Sequence, residues 1–89
     1  MSTAQLPQIR WLKCFLDKGM FSDEVAVTYP GHGTNRMSVF VPRDFVKGEP
    51  GTYGKVRVNL VEQSGELMAI LPSAGNDVVF VSEGDVADR

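Results

Sequence analysis

The chain has 89 residues and a formal net charge of −2, which limits it to one small domain with a single core. Hydrophobic residues make up 43% and charged residues 22%, a balance that excludes wholesale disorder. Its one cysteine, Cys14, excludes an internal disulfide, and because small secreted domains usually need such cross-links we expect a reducing cytoplasm.

The N-terminal residues carry no targeting pattern. Residues 1–8 have neither a basic region followed by an apolar segment nor a small-residue cleavage site, so we expect no signal peptide and a flexible N-terminus at residues 1–7. No apolar run approaches the roughly 20 residues that a membrane-crossing helix needs. A soluble protein without a membrane partner is therefore predicted.

Residues 8–18 have two interpretations. On a helical wheel the apolar residues share one face, and Pro7 and Gly19 suit the two ends of a helix. A helix over residues 7–18 predicts an α+β domain. The same segment is rich in side chains that are poor helix formers, and one more strand would help to close a sheet, so we favour a strand.

Short segments carry a resemblance to other chains. Trp11-Leu12-Lys13-Cys14, followed by Gly19-Met20-Phe21-Ser22-Asp23-Glu24 and Val25-Ala26-Val27, resembles the opening of small uncharacterised bacterial β-rich proteins. Ser38-Val39-Phe40-Val41-Pro42 is similar to a later piece of them. The resemblance implies strand, turn and strand at the start of the chain, and it implies no functional residue.

Three apolar runs, at residues 25–30, 37–42 and 67–72, each end on a proline. Proline cannot donate to a strand ladder and restricts the residue before it, so each run is predicted to be a strand that stops there. The first two runs form a predicted hairpin across a loop at residues 30–35. Residues 42–47 are predicted to form one helical turn.

The second half of the chain predicts further strands. Residues 55–60 alternate apolar and polar, which places Val56, Val58 and Leu60 on the core. A turn at residues 62–65 leads into an apolar strand at 67–71, and a last strand is predicted at 78–81. Trp11 and the phenylalanines are assigned to the core.

Together these elements predict an all-β fold. We expect residues 8–81 to form a small SH3-like barrel of five to six antiparallel strands with one short helical turn. Residues 82–89 are predicted to be a polar C-terminal tail.

Charge is unevenly distributed along the chain. From residue 36 to 57 there are five cations and two acids, a balance of +3, whereas from residue 58 onward six acids face one cation, a balance of −5. Such asymmetry can create an electropositive face, although segments interleave in a small barrel and their charges can cancel.

The sequence lacks the residues that most catalytic and metal sites need. Cys14 and His32 are the only residues of their types, and nothing in their spacing predicts a nucleophile and base pair. Structural zinc needs four such ligands. We therefore predict no catalytic residue, no metal and no cofactor.

The predicted binding residues lie in the 30–35 loop, in the basic segment that follows it and on the polar side of the 55–60 strand. They are His32, Asn35, Arg36, Arg43, Tyr53, Lys55 and Arg57. The leading hypothesis is a non-enzymatic binding or assembly module for a protein or a small ligand, either monomeric or weakly dimeric through an edge strand. The alternative is a nucleic-acid-binding barrel with a basic and aromatic strand face, which the acidic net charge disfavours, and a small enzyme ranks third.

Overall fold

The computed structural model describes residues 8–31 and 36–89, and these form one curled antiparallel sheet. Its eight strands are Gln8–Lys18 (β1), Glu24–Tyr29 (β2), Met37–Pro42 (β3), Val46–Lys47 (β4), Tyr53–Gln63 (β5), Glu66–Ile70 (β6), Val78–Phe80 (β7) and Val86–Ala87 (β8). The six longer strands match the predicted upper number, and the two-residue strands β4 and β8 are additional. The predicted small all-β, barrel-like fold is confirmed.

The strands follow the order β3-β2-β1-β5-β6-β7. The central pair consists of β1 and β5, and each short strand pairs along part of the outer edge of one of them. β8 pairs with β1 on the edge that also pairs with β2, and β4 pairs with β5 on the edge that also pairs with β6. β1 and β5 are therefore each paired on both sides. They form the rigid centre on which the candidate site is built.

The segment at residues 8–18 is a strand over its whole length, so the helical alternative over residues 7–18 is wrong. Leu12, Cys14 and Leu16 point into the core, whereas Trp11 and Phe15 project from the opposite face of the sheet. The apolar residues that share one face of a helical wheel are thus divided between two faces of the strand. Pairing with both neighbours satisfies the backbone that a helix would have satisfied internally.

Helical structure among the described residues is limited to two 3₁₀ turns, Arg43–Phe45 and Glu83–Asp85. The first lies where the sequence predicts one helical turn at residues 42–47. In the part of the chain that the structure describes, no helix is long and apolar enough to cross a membrane.

The core lies on the concave side of the sheet and consists mainly of Val and Leu side chains, with Cys14, Tyr29 and Ala69 among them. Its largest fully buried side chains are those of Leu12, Leu16, Val25, Val27, Val41, Val56 and Leu71. Val56 and Val58 are buried as the alternation of residues 55–60 predicts, and Leu60 packs against the same cluster while remaining half-buried.

Assigning Trp11 and the phenylalanines to the core is wrong. Trp11, Phe15 and Phe45 are only half-buried, and the remaining phenylalanines, Phe21, Phe40 and Phe80, are exposed. The concave side of a small, strongly curled sheet has room for Val and Leu, and the strand register turns the larger rings outward.

The C-terminal segment is folded, which corrects the prediction of a polar tail at residues 82–89. Val86 and Ala87 pair with Leu12 and Trp11 of β1, and Val86 packs against the core. Two apolar residues among six polar or small ones gave too weak a signal for a strand. The predicted flexible N-terminus, residues 1–7, lies outside the described residues.

Candidate functional site

Three of the predicted binding residues, Tyr53, Lys55 and Arg57, occupy alternate positions of β5 on the convex side of the sheet. They are joined there by side chains of β1 and β4 that project from the same side. We call this surface the basic-aromatic face; its members are Trp11, Lys13, Phe15, Lys47, Tyr53, Lys55 and Arg57.

The strand register creates this face. Directly opposite residues in an antiparallel pair project from the same side of the sheet. The β1–β5 register pairs Lys13 with Lys55, Trp11 with Arg57 and Phe15 with Tyr53, and the β4–β5 register adds Lys47 opposite Lys55. Three lysines and an arginine are thereby brought together without an Asp or Glu side chain among the outward positions of residues 9–15, 47 and 53–59.

Aromatic rings hold two of these cations in place. The Lys47 ammonium lies 4.1 Å from the centre of the Trp11 ring, and the Arg57 guanidinium lies 5.8 Å from the centre of the Phe45 ring. Both contacts are within the range of cation–π attraction. They position the charges over the sheet without neutralising them.

Tyr53 presents the most exposed ring of the face. Its side chain is 65% exposed, and its ring meets Phe15 edge to face, with centroids 5.2 Å apart and planes inclined by 75°. The edge contact supports the tyrosine while leaving much of the ring accessible. An accessible, fixed aromatic ring beside cations is the arrangement on which a nucleobase stacks.

The main chain of the C-terminal segment passes beside two of the lysines. Lys55 Nζ donates to the main-chain oxygen of Arg89 at 2.6 Å, and Lys13 Nζ donates to the Gly84 carbonyl oxygen at 3.4 Å. These contacts use one of the three N–H groups that each ammonium carries. They orient both lysines beside the C-terminal segment.

A cavity of about 400 Å³ borders the face at its Tyr53 end. It is lined by Lys13, Cys14, Tyr29, Pro30, Gly31, Tyr53, Gly54, Lys55 and Asp85. Burial raises the pKa of the Cys14 thiol to about 12, so the sulfur stays protonated and is a poor nucleophile at neutral pH. Cys14 belongs to the buried core cluster.

Tyr29 and Asp85 form the wall of this cavity. The Tyr29 hydroxyl donates to Asp85 Oδ2 at 2.7 Å and accepts from the Ser82 backbone amide at 3.3 Å. Burial and the neighbouring Asp85 carboxylate raise the pKa of the Tyr29 hydroxyl above its usual value. The contact fixes the C-terminal segment against β2.

The other predicted site residues are placed apart from the basic-aromatic face. Arg36 donates to the carbonyl oxygens of Pro30 and Gly31, at 3.3 and 3.0 Å, and so braces the rim of the cavity. Arg43 Nε donates to the Ser22 carbonyl oxygen at 3.2 Å, at the turn between β1 and β2. His32 and Asn35 lie outside the described residues.

A second cavity, of about 710 Å³, opens at the end of the half-barrel formed by the β5–β6 turn and the C-terminal segment. Its rim carries four carboxylates, which we call the acidic mouth: Glu62, Glu66, Glu83 and Asp88. Arg10 is the one cation in its lining, and its Nε lies 3.1 Å from Asp88 Oδ1. Four carboxylates are thus gathered at a cavity whose lining includes no member of the basic-aromatic face, whereas Asp85 lines the cavity beside Lys13 and Lys55.

Sequence reasoning missed Trp11, Lys13, Phe15 and Lys47 as members of the site. Their signal is the alternation within residues 9–15, which is visible only once that segment is known to be a strand. Among residues 8–31 and 36–89, no three His, Cys, Asp or Glu side chains are disposed to hold a metal ion. No family model, curated protein or solved structure matches the chain.

Proposed function

We propose that this chain is a small non-enzymatic binding module that takes single-stranded nucleic acid on its basic-aromatic face. The observation that carries the proposal is the strand register, which brings four cations and an exposed tyrosine together on the rigid centre of the sheet. Binding of single strands without sequence readout needs these two components, cations for the backbone and a ring for a base.

The acidic net charge of the chain argues less strongly against nucleic-acid binding once the positions of the charges in the structure are known. Phosphate affinity depends on the cations that the strand contacts and on the counterions released there. The carboxylates of the acidic mouth lie at the open end of the half-barrel, whereas the outward positions of the face carry none. The four cations of the face therefore outnumber Asp85, the carboxylate that lines the bordering cavity, although the chain has a net charge of −2.

The components of the face have separable roles. Lys13, Lys47, Lys55 and Arg57 contact phosphates, while Tyr53 stacks on one base. Trp11 acts as a positioning residue, because its ring already lies under the Lys47 ammonium. A cytoplasmic location, as the single thiol favours, would place the module where single-stranded RNA occurs.

The proposal is tested by fluorescence anisotropy with a labelled mixed-sequence 20-nucleotide RNA. Four phosphate contacts at about 0.7 each predict a slope of about −2.8 for log affinity against log salt, or roughly a 50-fold loss between about 50 and 200 mM salt. Lys55→Gln is expected to reduce the magnitude of the slope by about 0.7. Lys18→Gln, which removes the same charge at the exposed end of β1, is the matched control and is expected to leave the slope unchanged.

A second pair of variants tests stacking. Tyr53→Leu is expected to weaken binding by about 5- to 150-fold, the range for loss of one stacked base, with the salt slope unaltered. Tyr53→Phe keeps the ring and is expected to retain affinity. Absence of binding at about 50 mM salt, or equal effects of Lys18→Gln and Lys55→Gln on the salt slope, would refute the proposal. Binding of a protein or a small ligand outside the basic-aromatic face would then favour a module for protein or small-ligand binding.

A further inference from the structure

Strand β7 ends the sheet on the side away from β3, and it carries the most exposed apolar side chain of any strand that the structure describes. Phe80 is 68% exposed and Val78 is 53% exposed. Both project from the convex side, opposite Met68 and Ile70 of β6. The edge therefore presents an apolar strip that no described residue covers.

The backbone of β7 is also unpaired on its outer side. Leu71 N donates to the Asp77 carbonyl oxygen and Val81 N donates to the Leu67 carbonyl oxygen, which identifies residues 77 and 81 as hydrogen-bonded partners of β6. Because such pairs alternate along an antiparallel ladder, the amide and carbonyl of Val79 also face β6, and those of Val78 and Phe80 face away. Within the described part of the chain, no strand pairs with this side of β7.

We infer that β7 is the interface of a homodimer, in which it pairs antiparallel with β7 of a second copy about a two-fold axis at Val79. This register places Val78 opposite Phe80 of the second copy, and both are residues whose backbone groups face outward. Each such pair exchanges two hydrogen bonds, so the axis at Val79 satisfies every outward group of the strand. An axis at Val78 or Phe80 would instead match one of these residues with a position beyond β7.

The side chains suit a second copy as well as the backbone does. Val78, Val79 and Phe80 carry no charge, so the paired strands themselves do not repel each other, and each Phe80 packs beside Val78 of the other copy. The edge lacks the lysine, proline or inward charge that usually prevents strand pairing. Its only protection is its length of three residues.

The short edge sets the strength of the dimer. The interface consists of four hydrogen bonds and two exposed apolar pairs. The surface area that it buries is therefore well below the roughly 1,200 Å² of a standard interface. The dimer is therefore weak, with an expected Kd between about 10 µM and 1 mM. It forms at high local concentration and dissociates on dilution.

Dimerisation places the two basic-aromatic faces on the same side of the joined sheet. A two-fold axis perpendicular to the joined sheet keeps both convex sides together, and the two β5 strands are five strand spacings apart along the curled sheet, or about 24 Å. This consequence rests on the proposed function, but the dimer does not.

Sedimentation equilibrium over about 10 µM to 1 mM protein tests the dimer in the absence of nucleic acid. The wild type is expected to show a monomer–dimer equilibrium, and Phe80→Lys to raise the Kd by roughly 30-fold, as loss of a central interface residue does. Phe40→Lys makes the same change at an exposed phenylalanine of β3, the opposite edge, and is expected to retain the wild-type Kd. Val78→Lys provides an independent second disruption.

Amide hydrogen exchange distinguishes edge pairing from packing of convex faces. Exchange of the Val78 and Phe80 amides is expected to slow as protein concentration rises, while the Val79 amide, already bonded to β6, changes little. A monomer at all concentrations, a dimer that survives Phe80→Lys, a dimer lost equally in Phe40→Lys, or a dimer with unprotected Val78 and Phe80 amides would each overturn the inference. RNA binding by monomeric Phe80→Lys would leave the proposed function standing.

Discussion

Replacing Tyr29 by phenylalanine tests whether a single hydroxyl secures the C-terminal segment. Tyr29 is only 7% exposed, and its hydroxyl joins Asp85 Oδ2 at 2.7 Å and the Ser82 amide at 3.3 Å. Tyr29→Phe keeps the ring in place and removes both hydrogen bonds. The Asp85 carboxylate and the Ser82 amide then depend on water.

The magnitude follows from the two bonds. A hydrogen bond to a charged group contributes about 1.5 to 3 kcal/mol, and Asp85, being half-buried, recovers some hydration, which favours the lower end. The longer bond to Ser82 adds a few tenths, so we expect a loss of about 1.5 to 2 kcal/mol. For a domain of this size that loss lowers Tm by about 6 to 16 °C.

The assay combines urea denaturation with amide exchange. Tyr29→Phe is expected to lower the urea midpoint with little change in slope, and to speed exchange first at Val86 and Leu12, which pair β8 with β1. A double-mutant cycle with Asp85→Asn is expected to give a coupling energy above about 0.5 kcal/mol. A loss below about 0.5 kcal/mol, or additive effects of the two variants, would show that the hydroxyl does not hold the segment.

Three further predictions concern the core and the turns. Gly54→Ala is expected to destabilise the fold by about 2 to 3 kcal/mol, because a Cβ there would overlap the Lys47 carbonyl oxygen and Leu16 Cδ1. Urea denaturation measures this loss, with Gly84→Ala as the control because its Cβ meets nothing within 4 Å. Similar losses of stability in both variants would contradict the steric argument. Gly65→Ala is expected to cost about 1 kcal/mol in the same assay, since Gly65 has a φ of 78° in the β5–β6 turn, and Gly65→Asn, which tolerates that conformation better, is expected to cost less. Burial in the folded state raises the pKa of the Cys14 thiol from 9.0 to about 12. The free energy of unfolding is therefore expected to fall as pH rises from about 9 to 12, by at most about 4 kcal/mol, because the unfolded state loses this proton first. Cys14→Ala removes this contribution, and an identical decline of stability at alkaline pH in both proteins would exclude it.

The sequence predicts the fold well where one local rule suffices. The alternation at residues 55–60 identifies Val56 and Val58 as core, and the prolines stop the strands near Tyr29, Pro42 and Ile70. The segment at residues 8–18 is harder, because its apolar residues fit a helical wheel and also both faces of a strand paired on two sides. Only tertiary pairing decides between them.

The candidate site is less predictable than the fold because it is assembled from three strands. Tyr53, Lys55 and Arg57 are found from alternation within one strand, but Lys13 and Lys47 join them only through the registers of β1 and β4 with β5. Net charge likewise hides the separation of acidic and basic surfaces. Residue spacing along the chain contains no measure of these distances in space.

The central position of β1 has a consequence for how the chain folds. β1 is the first described strand, yet its partners include β5 and, near the other end of the sequence, β8. Contacts so distant in sequence must close large loops before they contribute stability, which slows folding into the range of milliseconds to seconds. During synthesis, β1 therefore lacks its longest partner, and its outward aromatic residues stay exposed, until β5 has emerged from the ribosome.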